Sequence, residues 1–197
     1  RSLLHIVRTY PAPASPLAKA MACILLRQLF DPNVQGGVNA AGAAVDPTVL
    51  QELRHGLVEA VTNEPEPEFR RKLCHALAQV AATLPPDSAW HELLQLTAQL
   101  MGAGTAEHRE TGYELLDKLA EYRAVMLIPF ADQLPPMLLA GLQDATSSPV
   151  RLAALKATCS VVLEIGPGGG RILFQPLVEP LLKVVEASIK EEDETAA

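Results

Sequence analysis

"PMLLAGLQDATSSPVRLAALKATCSVV", residues 136–162, is the stretch whose reading decides the fold. An apolar segment closes on Gln143-Asp144, a short Ser/Pro turn follows, and Pro149-Val150-Arg151 opens a second apolar segment. Proline fits the first turn of a helix, where its missing N–H would have had no intrahelical acceptor. The stretch therefore predicts two helices joined by a tight turn, with an Asp just before the turn and an Arg just after it. A lone hairpin of this kind leaves an apolar stripe uncovered, so its meaning depends on whether the pattern recurs.

It recurs. Second helices are predicted to open near Pro16, Pro67, Thr105 and Pro149, and each carries a basic residue near its first turn: Lys19, Arg70, Arg109 and Arg151. Arg70 to Arg109 is 39 residues and Arg109 to Arg151 is 42, while Lys19 to Arg70 is 51. The excess falls in the Gly/Ala-rich stretch 31–46, which reads as a flexible loop. Cys23, Cys74 and Tyr113 each follow their basic residue by four positions, in one shared register. A helix pair repeating about every 40 residues predicts a stacked array rather than a globular bundle.

The turn residues place the repeats at roughly 1–30, 47–84, 87–122 and 128–165, with a half-repeat at 171–190. The acidic residues 190–197 are expected to fray. Within the fourth repeat, 128–143 is predicted as one continuous first helix. Thr105 is the expected N-cap of the helix after it. Asp144 and Arg151 are expected to bridge adjacent turns in a ladder with Lys19, Arg70 and Arg109. As a surface pair each rung is worth roughly 0–1 kcal/mol, enough to select register but not to supply stability.

Composition agrees with helix. Hydrophobic residues make up 49% and aromatics 4%, and Leu and Ala, which keep their rotamer freedom in a helix, dominate the apolar set. A formal charge of −7 disfavours nucleic acid as a partner and favours basic ones. Cys23, Cys74 and Cys159 read as buried free thiols suited to a reducing compartment. No apolar run approaches the roughly 20 residues needed to span a bilayer.

The ordered stretches "AKAMACILLRQLF", "EFRRKLCHALAQVAATL", "WHELLQLTAQLM" and "EHRETGYELLDKL", with the hairpin quoted first, resemble successive N-terminal HEAT repeats of the importin-β (karyopherin-β) nuclear transport receptors. Their order, and the Trp90 that opens the third repeat, are similar to the subgroup around importin five and importin four. The resemblance implies an all-α fold, a right-handed α-solenoid of about four and a half HEAT repeats. It implies a carrier that docks the GTPase Ran in its GTP form and basic cargo on a concave face, with nucleoporin Phe-Gly repeats on the outer face. Such a receptor would shuttle between cytoplasm and nucleus, act as a monomer, carry no cofactor and perform no catalysis. The competing expectation is a HEAT-repeat scaffold of a cytosolic complex, a phosphatase or translation-factor regulator, with no transport role.

One constellation points to a docking surface independently of the resemblance. Glu107, Glu110, Glu114, Asp117 and Glu121 are spaced 3, 4, 3 and 4 residues apart, which puts five carboxylates on one helix face opposite Leu115, Leu116 and Leu119. The face is therefore expected to be exposed. It reads either as an ordinary solvated surface or as a strip for a basic partner, acting through complementary field. Arg70-Arg71-Lys72 allows a small site for an acidic partner, or solvated charge. "GPGGGR" lacks the Gly-Lys-Ser/Thr ending of a phosphate loop, the five histidines show no metal-ligand spacing, and Trp90 reads as a packing anchor.

Overall fold

The computed structural model describes residues 16–31, 46–83, 90–165 and 171–196. Among these residues every regular element is helical: α1 (Pro16–Phe30), α2 (Pro47–Asn63), α3 (Pro67–Ala82), α4 (His91–Met101), α5 (Ala106–Arg123), α6 (Leu134–Leu142), α7 (Ser148–Ile165), α8 (Arg171–Phe174) and α9 (Val178–Ala196). Short 3-10 segments occupy Ala124–Met126, Ile128–Gln133 and Gln175–Leu177. Residues 1–15 of the expected first repeat, the loop at 31–46 between Asp31 and Asp46, the Gly-rich 166–170 and the side chain of Lys19 lie outside the described residues.

The starts of these helices follow from local chemistry. The Asp46 carboxylate accepts from the Thr48 amide at 2.8 Å, and Pro47 takes the position that needs no donor. Thr105 caps α5 by accepting from the His108 amide at 3.4 Å, as its sequence position predicts. The fourth repeat departs from expectation. Residues 128–143 are not one helix but a 3-10 segment followed by α6. Pro129, Pro135 and Pro136 each withhold an amide, so regular i→i−4 bonding is established only after the last of them. At the other end, α9 continues to Ala196 rather than ending at 190. Its Glu, Lys and Ala content favours helix over fraying.

The chain divides into two compact units, Arg1–Leu96 and Thr97–Ala197. In the first, α3 packs against both α1 and α2. Leu73, Cys74, Leu77 and Val80 of α3 are buried with Cys23 and Leu26 of α1 and Leu57 and Val61 of α2. Gln79, 5% exposed, donates from Nε2 to the Phe30 carbonyl at 3.3 Å and so satisfies an acceptor at the end of α1. Trp90 is 4% exposed beneath the Arg54 guanidinium, 5.3 Å from the ring centroid, which makes it a packing anchor.

In the second unit α5 lies along α7, α6 packs on α7, and α9 contacts both α6 and α7. Leu115, Leu116 and Leu119 of α5 are buried, as are Val150, Ala154, Ala157 and Val161 of the α7 helix it packs along. Burying each large side chain contributes about 1.5–3 kcal/mol, so the apolar stacking outweighs any single rung of charge. Small residues on α7 let α5 approach closely. Two glycines permit other close approaches. A Cβ on Gly112 would lie 2.5 Å from the Met101 amide nitrogen, and one on Gly141 would collide with the Tyr113 ring.

Candidate protein-docking site

The ladder is built differently from the sequence expectation. Asp144 pairs across the repeats with Arg109, Nε to Oδ2 at 2.7 Å, with side chains only 18% and 8% exposed for Arg109 and Asp144. Arg109 also donates from Nη2 to Thr146 Oγ1 at 2.8 Å, and from Nη1 to the carbonyls of Ala103 and Gly104 at 3.1 and 3.0 Å. The other carboxylate oxygen of Asp144 accepts from the amides of Thr146 and Ser147 at 2.9 and 3.0 Å, closing the turn. Arg151 donates from Nη1 to the Asp144 carbonyl at 2.9 Å.

One aspartate therefore closes the turn inside its own hairpin and receives the arginine of the preceding one. The low exposure also corrects the estimate for a surface pair, because a shielded, multiply bonded charge is screened less.

Electrostatics follow from this geometry. Burial by itself would raise the Asp144 carboxyl, but the hydrogen bonds from Arg109 and Thr146, with the charge of Arg109, outweigh it and bring the pKa to about 2. Tyr113 sits beside the pair and donates to the Met137 carbonyl at 2.8 Å. Burial first, then the nearby Asp144 charge, pushes its phenol up to about 12, with Arg109 opposing. Arg70, the corresponding basic residue of α3, is 4% exposed, and its Nε is buried without a hydrogen-bond acceptor among the described residues.

The five-carboxylate face is only partly as expected. Glu107 and Glu121 are exposed, and Glu110 and Glu114 are half-buried. Asp117 is not on an exposed strip: it is 9% exposed, accepts from Ser160 Oγ of α7 at 2.5 Å and pairs with Lys118 at 3.1 Å. Helical spacing placed it on the acidic face, but it stands at the edge that α7 covers. Ser160 was the missed partner. Its only signal in the sequence is a hydroxyl beside the small-residue face of α7.

Lys118 also pairs with Glu121 at 2.7 Å. Glu107, Glu110 and Glu114 lie on the first three turns of α5. Cys23 and Cys74 are buried, whereas Cys159 is exposed on α7, contrary to its expected burial. Among the described residues no group of His, Cys, Asp and Glu could hold a metal ion, and no helix is long and apolar enough to cross a membrane.

Known proteins resemble this arrangement. The family model described as IPO5-like, TPR repeats matches residues 65–197. A probable importin-5 homolog from Dictyostelium discoideum is 25% identical over 191 residues, covering 96% of this chain and 17% of its own length. The crystal structure of Kap121p superimposes with a TM-score of 0.74 at 22% identity, covering 98% of this chain and 18% of that one. Kap121p bound to RanGTP gives 0.71 at 20%, covering 96% and 16%. The chain therefore spans under a fifth of the length of these relatives. The fold class they share with it is the all-α solenoid of HEAT repeats.

Proposed function

The chain belongs to the IPO5-like, TPR-repeat family, an importin/karyopherin family, and on that premise we propose that it is a protein-docking segment of a nuclear transport receptor. It takes the GTP form of Ran and basic cargo, shuttles between cytoplasm and nucleus, and works by binding rather than catalysis. Its array is right-handed, with about four and a half helix pairs.

The observation that supports the docking mode is the row of Glu107, Glu110 and Glu114, which follow one another along one face of α5 with no basic residue of the helix on that face before Lys118. A face of this kind draws a basic surface by complementary field and sets the rate and register of encounter. Exposed Val125 and Ile128, at 47% and 55%, support apolar contacts for nucleoporin Phe-Gly repeats at the start of the fourth repeat. A relative of the same fold has been solved with RanGTP, which supports the choice of GTPase.

The test is retention of Ran on the immobilised chain. Selective retention of the GTP form, displaced by a Lys/Arg-rich cargo peptide, is the expected result. Equal retention or neglect of both nucleotide forms would favour the scaffold reading instead.

A further inference from the structure

Two helices carry apolar rows that stay open to solvent. On α1, Met21, Leu25 and Leu29 follow at intervals of four and are 46%, 41% and 39% exposed. On α9, Val178, Leu182, Val185 and Ile189 follow at intervals of 4, 3 and 4 and are 53%, 57%, 39% and 56% exposed. Each spacing keeps its row on one helix face. Each helix buries another face in its own unit, through Cys23 and Leu26 on α1 and Val184 on α9. Contiguous apolar surface left in water marks a place where another surface docks. The two rows differ in charge. α1 has Lys19 and Arg27 and no acid, a formal balance of +2, whereas α9 has six acids against Lys183 and Lys190, a balance of −4 with internal pairs such as Lys183–Glu179 counted in. The asymmetry extends to the units: residues 1–96 hold nine acids and eight bases, a balance of −1, and residues 97–197 hold fourteen and eight, a balance of −6.

We propose that the chain associates head to tail, the α1 row of one copy seating on the α9 row of a second. Two exposed rows allow three pairings. Setting α9 on α9 brings two strongly acidic units together, and setting α1 on α1 faces cations with cations over two short rows. Only α1 on α9 joins opposite signs. It also sets one ridge of residues four apart, Met21, Leu25 and Leu29, against another that contains Val178 and Leu182, the commonest way for helices to interlock. Arg27 projects from a different side of α1 than the row, so charge selects the pairing through the field within roughly 10 Å, not through ion pairs. The contact is heterologous: a copy that has used its α1 row still offers its α9 row, and growth stops only if a ring closes. It involves neither the α5 face nor the transport reading, and it departs from the monomer that the resemblance implies.

Sedimentation equilibrium of the 197-residue chain between about 2 and about 200 μM tests it. The average mass should climb from 21.1 kDa past twice that value as concentration rises. Leu25→Asp blocks the α1 row and Leu182→Lys blocks the α9 row, and each variant alone should stay at 21.1 kDa. Mixed in equal amounts, the two should form a dimer and stop there, because the first variant keeps its α9 row and the second its α1 row. Both positions are exposed, so unchanged circular dichroism spectra are expected, and a misfolded variant could not restore association in the mixture. Met21→Asp with Ile189→Lys gives a second pair on the same rows. A wild-type chain that stays monomeric throughout, as it would if the rows serve a different protein, would overturn the proposal. So would self-association of either variant alone, the mark of like-on-like pairing, or mixtures of both variant pairs that remain monomeric with native spectra.

Discussion

At the scale of single residues, Asp144 has the most to do, because it closes the turn of one hairpin and holds the preceding one through Arg109. Its carboxyl lies well below the usual 3.8, at about 2. A carboxyl depressed by folding contributes stability above its unfolded pKa and loses it as pH falls through the folded value. The loss therefore falls between about pH 4 and pH 2. A drop of nearly two units corresponds to about 2 kcal/mol at neutral pH.

Asp144→Asn keeps an oxygen for the Thr146 and Ser147 amides and removes only the charge. Urea unfolding should show the variant about 2 kcal/mol weaker at pH 7, with the two proteins converging toward pH 2. A gap that stays constant with pH would mean that the charge is not what Asp144 contributes. The sequence exposed Asp144 as important but pointed to Arg151 as its partner, since the two are seven positions apart. The true partner of the carboxylate is 35 positions upstream, and only the stacking of one hairpin on another reveals that.

Helix boundaries were legible at the scale of elements wherever a local device sets them: Asp46 with Pro47, the Thr105 cap, and the Ser/Pro turn before α7. What the sequence hid is what neighbouring helices do to each other. Asp117 has the right spacing for an exposed acidic face, yet α7 covers it and Ser160 satisfies it. The 3-10 start of the fourth repeat was hidden in plain view, because three prolines within eight residues delay regular bonding until α6.

Close approach is the other property that spacing cannot express. Gly112 faces the backbone of Met101, which cannot swing aside, so Gly112→Ala should cost about 1–3 kcal/mol in chemical unfolding despite alanine's better helix propensity. Gly141→Ala should cost a similar amount, about 1–3 kcal/mol, by displacing Tyr113 from the Met137 carbonyl. Partial recovery in Gly141→Ala/Tyr113→Leu would tie that loss to the ring. Two stabilised single variants would refute the close-packing account.

At the scale of the molecule, the all-α class was legible from Leu/Ala content and a helix-pair period near 40 residues. The ordered apolar stretches carried the family. Less could be said of the docking face, because exposure depends on which edge of a helix its neighbour covers. With Asp117 covered by α7, the docking face proposed above is centred on Glu107, Glu110 and Glu114 of α5.

The most direct test is the affinity of a Lys/Arg-rich peptide for the chain, followed across ionic strength, against the triple variant Glu107→Lys/Glu110→Lys/Glu114→Lys. The predicted result is a loss of about tenfold at low salt, with a flatter salt dependence in the variant. Identical affinities and identical salt slopes for the two proteins would contradict it.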